Sequence, residues 1–169
     1  GQHRVEAGRL DAALPALRAA VACDPGNATA HANLIFAMQL DPQSSMEAEF
    51  NERRLWQARH ARFDGERFTE HANSPNPNRV LRVGYVSGDF KAHSVSEIFG
   101  TVVLNHTPQI EVVCYSQTRD PDHVTEVYRK TAYRWRDVRN LSDAALAQQI
   151  RDDGIDILVD LSGFTQDSR

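Results

Sequence analysis

The chain has 169 residues, of which 41% are hydrophobic and 25% charged, and its net charge is -4. This length accommodates one good core or two small domains. The negative charge leaves no general nucleic-acid footprint, and no apolar run approaches the roughly 18 residues that cross a bilayer. Cys23 and Cys114 are too few for a disulfide scaffold or a zinc site, so we expect a cytoplasmic protein.

The beginning of the chain has a helical pattern. Residues 8–25, GRLDAALPALRAAVACDP, have the spacing of the second helix of a tetratricopeptide repeat. Small Ala13 and Ala20 are expected to let two helices approach closely, and Pro25 ends the helix because it has no backbone N–H to donate. Residues 27–38 fit the first helix of a following repeat.

This pattern covers barely one repeat, whereas about three are needed for a stable stack. We therefore expect the native protein to extend upstream of Gly1, and a plain helical hairpin is the alternative interpretation. Pro15 departs from the repeat pattern and is tolerable only in the first turn of its helix. Residues 1–45 form the predicted repeat-like region.

A helix and a linker are predicted over residues 46–78. The helix, residues 46–63, places Met46, Phe50 and Leu55 on one side, and Trp56 is expected to pack it against a neighbour. Residues 64–78 are polar, contain two prolines and show no period, which is typical of a linker.

Strand-like and helical patterns alternate from residue 79 onward. Strands are predicted at 80–86, 110–115, 133–138 and 155–161, and helices at 94–105, 122–130 and from Ser142 to Gly154. Strands separated by helices imply βαβ units and a parallel sheet. Such sheets bind ligands at the carboxyl ends of their strands. Two loops occupy that edge here, residues 87–93 and 162–165.

The first of these loops leads into a helix start. Ser94 followed by Glu97 is a capping-box pattern, which predicts a helix beginning at Ser94 whose free N–H groups favour an anion. The loop lacks both the G-x-G-x-x-G and the G-x-x-x-x-G-K-[ST] spacings. Nicotinamide and simple ATP chemistry are therefore disfavoured.

The two loops supply the candidate site residues. His93 could act as a general base, could donate to a phosphate or sugar hydroxyl, or could orient the turn; imidazoles in general titrate near neutral pH. Asp89 either braces the same turn or contacts substrate, and Lys91 is either solvated or steers an anion. Gly163 and Thr165 either shape the second turn or contact ligand.

Metal and nucleic-acid sites are not indicated. Five other histidines lack metal-ligand spacing, so no metal is expected; they are His31, His60, His71, His106 and His123. Arg134, Arg136 and Arg139 with Trp135 form a basic cluster that a solvated strand edge explains better than nucleic-acid contact.

Three segments together carry a family resemblance. These are LRVGYVSGDF at 81–90 with His93 three residues on, VCYS at 113–116, and DGIDILVDLSGFT at 153–165. Preceded by repeat-like helices and a linker, they closely resemble the O-linked N-acetylglucosamine transferase family, glycosyltransferase family 41. The resemblance implies the end of a tetratricopeptide solenoid followed by part of a Rossmann-like parallel α/β lobe of GT-B type. Residues 79–169 would be the first half of the N-terminal catalytic lobe.

The same resemblance implies an activity. The family transfers N-acetylglucosamine from UDP-N-acetylglucosamine to Ser or Thr of polypeptides with inversion and without an essential metal, and its repeats receive the acceptor. The family histidine of the first lobe corresponds to His93, which has been regarded both as a base and as a pocket residue. A second histidine found in some members before the third strand is replaced here by Arg134 and Trp135.

The implied donor-binding second lobe would follow the loop at 162–165, so we expect a segment of a longer enzyme that is inactive alone. Two alternatives remain open at this point. One is a GDP-fucose-dependent protein O-fucosyltransferase of the same superfamily, and the other is a non-catalytic protein-binding module.

Overall fold

The computed structural model describes residues 10–61 and 68–163. The chain divides into two compact units, residues 1–65 and 66–169. The predicted start of the first helix at residues 8–9 and the candidate Thr165 lie outside the described ranges. Within those ranges, no helix combines the length and the apolar character needed to cross a membrane.

Three helices are described in the N-terminal unit: α1 (Leu10–Cys23), α2 (Ala28–Leu40) and α3 (Met46–His60). The side-chain carbonyl of Asn27 accepts a hydrogen bond from the Ala30 N–H at 2.9 Å and caps α2. One apolar cluster joins the first two helices; its buried members are Ala13, Leu14, Leu17, Val21, Leu34, Ala37 and Met38.

Two details of α1 differ from expectation. Pro15 lies inside the helix, more than one turn past Leu10, and not in the first turn. Its ring is exposed, so it is tolerated on the solvent side, where the lost backbone hydrogen bond does not leave a buried group unpaired. Ala20 is also exposed, whereas Ala13 and Ala37 are both 0% exposed and belong to the cluster that joins α1 and α2.

Helix α3 is attached to α2 by polar contacts. Buried His31 places Nε2 2.8 Å from Glu52 Oε1 and Nδ1 3.1 Å from His60 Nε2. The Trp56 indole N–H donates to the Ala28 carbonyl at 3.3 Å, so this tryptophan packs α3 against a neighbour as predicted. None of the residues of α3, all of which are described, is buried, and the helix ends at His60, three residues earlier than expected.

The C-terminal unit is a parallel α/β unit. Its strands are β1 (Leu81–Ser87), β2 (Ile110–Ser116), β3 (Arg134–Asp137) and β4 (Ile157–Asp160). Its helices are α4 (Ser94–Leu104), α5 (His123–Thr131) and α6 (Asp143–Asp152). The strands pair in the order β3-β2-β1-β4, and every pair is parallel, which confirms the predicted parallel sheet. Residues 68–80, all described, form neither helix nor strand.

Alternating side chains of β1 and β2 build a core on each face of the sheet, as period-two strands require. One core contains Val83, Tyr85, Phe90, Val103, Val112, Cys114 and Tyr128, and the other contains Val113, Tyr115, Val138 and Leu146. Burial raises the pKa of the Cys114 thiol to about 12, so the group stays protonated.

Helix α4 buries only part of the apolar side that its sequence predicts. The spacing of Ile98, Phe99, Val102 and Val103 predicts one apolar side, but only Val103 of these four is buried and the other three are exposed. Gly100 is also buried, and a Cβ there would lie 2.8 Å from the Tyr128 hydroxyl. The helix therefore packs closely through its glycine.

The predicted basic cluster lies on and just after β3, an edge strand of the sheet, and Arg134 and Arg136 keep 38% and 34% of their side chains exposed, as a solvated strand edge requires. Arg134 and Arg136 both donate to the carboxylate of Asp153, which is 2% exposed, at 2.7 and 2.6 Å. Tyr115 donates its hydroxyl to the same carboxylate at 2.9 Å. Burial alone would raise the pKa of Asp153, but these three hydrogen bonds outweigh it and the pKa lies below its usual value. Arg139 pairs with Asp137 at the surface.

Candidate functional site

The candidate site lies where the direction of the sheet reverses. From β1 the chain proceeds to β2 and β3 on one side, and then returns to place β4 on the other side of β1. The carboxyl ends of β1 and β4 therefore flank a topological switch point, the usual position of a ligand crevice in open α/β sheets. The two loops selected from the sequence follow these two strands.

A direct hydrogen bond joins the two loops. The backbone N–H of Gly88 donates to the hydroxyl of Ser162 at 3.3 Å. Ser87 is fully buried, and its hydroxyl accepts from the Asp89 N–H at 2.9 Å, which tightens the turn after β1. The tertiary structure thus places the segments around His93 and Gly163 at one edge of the sheet.

His93 is the N-cap of α4. Its Nδ1 atom accepts a hydrogen bond from the Val95 N–H at 3.2 Å. The helix begins at Ser94 as expected, but the predicted capping box of Ser94 and Glu97 is wrong, because the residue before it supplies the cap. The Glu97 N–H donates to the His93 carbonyl at 3.1 Å in an ordinary first helical turn.

This cap fixes the tautomer of the neutral imidazole. A backbone N–H can only donate, so Nδ1 of His93 must be the unprotonated nitrogen and the proton resides on Nε2. The His93 side chain is 36% exposed. The outer nitrogen of the neutral imidazole, Nε2, is therefore a hydrogen-bond donor on a partly exposed side chain.

Asp89 and Lys91 lie in the same turn. The Asp89 carboxylate is largely buried, and its Oδ2 atom is 3.7 Å from His93 Nδ1, too far for a hydrogen bond. The Asp89 carbonyl accepts from the Ser96 hydroxyl at 2.8 Å, which ties the turn to α4. Lys91 is half-buried. The backbone of Asp89 thus connects the turn to α4.

The loop after β4 is organised by Asp160. Its two carboxylate oxygens accept from the Ser162 N–H at 2.8 Å and from the Gly163 N–H at 3.3 Å. Gly163 has φ +53°, a left-handed conformation that favours glycine. Gly163 thus has a clear conformational reason to be glycine, and Thr165 lies outside the described residues.

Sequence reasoning missed several residues that hold the site together. Ser162 was not singled out, although its buried hydroxyl links the two loops. Asp122 and Thr125 cap α5 with a reciprocal capping box and also bond to the His93 turn. The D-x-x-T spacing at 122–125 signals the cap, but its reach to residues 90–92 is visible only in the tertiary structure.

The structure thus defines a class of protein in which a helical unit is followed by a parallel α/β unit with two polar loops at its topological switch point. The model of glycosyl transferase family 41 matches residues 31–169. The chain belongs to glycosyl transferase family 41.

Relatives with known names agree with this family. The probable UDP-N-acetylglucosamine–peptide N-acetylglucosaminyltransferase SPINDLY of Arabidopsis thaliana is 30% identical over 151 residues, 86% of this chain and 16% of that protein. The protein similarly named SEC of the same plant is 36% identical over 91 residues, 53% of this chain and 9% of its own length. The chain spans only 16% of the length of the first of these curated relatives.

A solved structure is similar across most of the chain. A mutant O-GlcNAc transferase of Thermobaculum terrenum superposes with a TM-score of 0.82 at 31% sequence identity. The match covers 92% of this chain and 30% of that one.

Proposed function

We propose that this chain is part of a protein O-glycosyltransferase that moves N-acetylglucosamine from UDP-N-acetylglucosamine to Ser or Thr hydroxyls of polypeptides, with inversion and without an essential metal. Membership of glycosyl transferase family 41 over residues 31–169 carries this proposal. Relatives named as peptide N-acetylglucosaminyltransferases support the donor and the acceptor class.

The architecture we propose follows the same comparison. Residues 1–45 are the end of a tetratricopeptide solenoid that receives polypeptide acceptors, and 46–78 are a helix and linker. Residues 79–169 are the first half of the N-terminal lobe of a GT-B enzyme, and the rest of the crevice belongs to sequence outside this segment. The similarity to the Thermobaculum terrenum enzyme supports this arrangement. The free thiols of Cys23 and Cys114 suit the cytoplasmic location that we propose.

We assign His93 the role of a hydrogen-bond donor in the reaction. As the bond between the sugar and the diphosphate breaks, negative charge grows on the departing phosphate, and a fixed N–H near it lowers the barrier. The N-cap bond keeps the proton on Nε2, so the imidazole is prepared to donate and not to remove the proton of the acceptor hydroxyl. Asp89, Lys91, Gly163 and Thr165 complete the proposed substrate-binding edge.

Transfer of labelled sugar by the full-length protein tests this proposal. The variant His93→Asn keeps an oxygen that can cap α4 but removes the Nε2 donor, and we expect it to lower kcat/KM by about 100-fold. The matched control is His71→Asn, because His71 is exposed in the segment before β1; we expect its kcat/KM within about twofold of wild type.

The pH profile separates the two roles of His93. Loss of a donor lowers kcat/KM at every pH, whereas loss of a base also removes the acidic limb of the profile. Transfer from GDP-fucose alone would overturn the proposed donor, and no transfer from either nucleotide sugar would favour a non-catalytic binding module.

A further inference from the structure

The segment that leads into His93 is held by the start of α5. Asp122 Oδ2 accepts a hydrogen bond from the Ala92 N–H at 2.8 Å. The Thr125 hydroxyl donates to the Phe90 carbonyl at 2.6 Å, and this contact is buried. The two hydrogen bonds hold the backbone on either side of Lys91, immediately before His93.

The two oxygens of Asp122 have separate partners. Oδ1 accepts from the N–H groups of Val124 and Thr125 at 2.9 and 3.1 Å and so caps α5. Oδ2 reaches across to Ala92. The hydrogen bond from Ala92 is the main cause that lowers the pKa of Asp122 below its usual value, so the group stays ionised and acts only as an acceptor.

Thr125 is similarly bifunctional. Its hydroxyl accepts from the Asp122 N–H at 3.0 Å and donates to Phe90, and the residue is 0% exposed. The Phe90 ring packs on Tyr128 of α5 and on Trp135, with ring centroids 5.0 and 5.5 Å apart. Backbone and side chain of residue 90 are therefore both fixed against the same helix.

This attachment bears directly on the imidazole. His93 has extended backbone angles, φ -152° and ψ 154°, and its ring must turn back to reach the Val95 N–H. Movement of residues 90–92 would shift the Cα of His93 relative to α4 and break the hydrogen bond from the Val95 N–H to Nδ1. The position of the Nε2 donor therefore depends on Asp122 and Thr125.

We propose that Asp122 and Thr125 are positioning residues for the reaction: they hold residues 90–92 so that His93 keeps Nδ1 on Val95 and presents Nε2–H to the substrate. The catalytic consequence rests on the proposed glycosyltransferase function, and the positioning itself does not.

Three variants of the full-length protein isolate the two bonds. Asp122→Asn replaces one oxygen by an NH2 group, so either the cap or Ala92 meets a donor where it needs an acceptor. Thr125→Val removes the hydroxyl and keeps the shape, and Thr125→Ser restores the hydroxyl. The matched control is Ser142→Ala, which removes the hydroxyl that caps α6 at 3.2 Å from the Ala145 nitrogen and leaves the His93 turn alone.

We expect Asp122→Asn and Thr125→Val to lower kcat by about 10- to 100-fold with little change in the KM for the donor, because small displacements of a catalytic group cost rates of this order. Thr125→Ser and Ser142→Ala should stay within about threefold of wild-type kcat. Rates for Asp122→Asn and Thr125→Val no lower than for Ser142→Ala would overturn the proposal.

A second measurement does not require activity. Selective ¹⁵N-histidine labelling reports the tautomer of His93 through its ring nitrogen shifts, and the His93→Asn variant assigns the signal. We expect a pure Nε2–H form in the wild type and a mixture of tautomers in Asp122→Asn and Thr125→Val. An inactive wild-type protein would contradict the glycosyltransferase function, but the ring nitrogen shifts would still test the positioning of His93. Unchanged shifts in both variants would refute the positioning role of Asp122 and Thr125.

Discussion

His93 Nδ1 lies 3.2 Å from the backbone nitrogen of Val95 and accepts its hydrogen bond, so a histidine occupies the N-cap position of α4. Asn, Asp, Ser and Thr are the usual residues at such a position. The candidate catalytic group of this chain is therefore also a structural group, and substitutions at residue 93 change both properties unless they are chosen to separate them.

We predict that His93→Ala lowers the free energy of unfolding by about 1 kcal/mol, because alanine leaves the Val95 N–H without its cap. His93→Asn should stay within about 0.5 kcal/mol of wild type, since its amide oxygen can accept the same bond. Urea denaturation followed by circular dichroism measures both values. Equal stability of the alanine variant and the wild type would contradict the capping role.

Gly84 lies in β1, where neighbouring side chains leave little room for a Cβ. A Cβ there would lie 3.0 Å from Tyr115 Cε2, 3.1 Å from Leu158 Cδ1 and 3.2 Å from Ile155 Cγ2. We predict that Gly84→Ala lowers the free energy of unfolding by about 1 to 3 kcal/mol through overpacking. The comparison is Gly26→Ala, whose Cβ would make an ordinary 3.5 Å contact with Asp24 and should cost less. An unchanged free energy of unfolding for Gly84→Ala would show that the neighbouring side chains can move to make room for the Cβ.

Asp156 anchors the segment before β1. Its largely buried carboxylate accepts from Arg79 Nη1 at 2.7 Å and from the Arg82 N–H at 2.9 Å, and it also bonds Asn73. We predict that Asp156→Ala lowers the free energy of unfolding by about 2 kcal/mol, because it leaves charged and polar donors without their acceptor.

The control for this prediction is Asp137→Ala. Asp137 also pairs with an arginine, Arg139, but both side chains are largely exposed, at 50% and 42%. A solvent-screened pair of this kind contributes about 0 to 1 kcal/mol. Equal losses from the two alanine variants would show that burial of the Asp156 pair is unimportant.

The pKa of Asp156 also gives a direction for acid unfolding. The hydrogen bond from Arg79 is the main cause that lowers this pKa well below its usual range. The unfolded chain then binds a proton before the folded chain does as the pH falls. The stabilisation is complete above about pH 4 and is lost below it. Between pH 4 and pH 2, the free energy of unfolding of Asp156→Ala should therefore decline less than that of the wild type, because the variant has no carboxylate at this position to protonate.

Mild acid should lower the stability that His60 of helix α3 contributes. Burial, followed by the charges of His31 and Arg59, lowers the pKa of His60. The unfolded chain takes up this proton as the pH falls through about 6.5, so stability contributed by neutral His60 is present above that pH and declines below it. We predict a larger fall in Tm between about pH 7.5 and 5.5 for the wild type than for His60→Gln, by thermal denaturation. Equal falls would contradict a role for this residue.

Local sequence patterns predicted the position of the site but not its internal bonding. The strand predicted at 80–86 occupies 81–87, and the helix starts at Ser94 as predicted, because both depend on neighbouring residues. The cap was assigned to the wrong residue because Ser94 and Glu97 match the usual pattern one position later, and histidine is an uncommon cap.

Contacts between distant residues had no local pattern to reveal them. Arg134 and Arg136 lie 19 and 17 residues from Asp153, and their role as partners of a buried carboxylate depends on the fold. Ala92 and Asp122 are 30 residues apart and meet only because β1 and β2 are neighbours in the sheet.

The sequence by itself determined the helical and α/β character of the two regions, the family to which the chain belongs, and the loop that holds His93. Periodicity, turn residues and motif spacing involve residues that are close together in the chain, so they can be recognised from the sequence alone. Only the tertiary structure decided which nitrogen of His93 carries its proton, that Ser162 joins the two loops, and that α5 holds the turn. The cap by His93 spans only two residues, but the usual capping pattern does not indicate a histidine there. The other two contacts join residues 74 and 30 positions apart, and their partners are decided by how the strands pair and the helices pack.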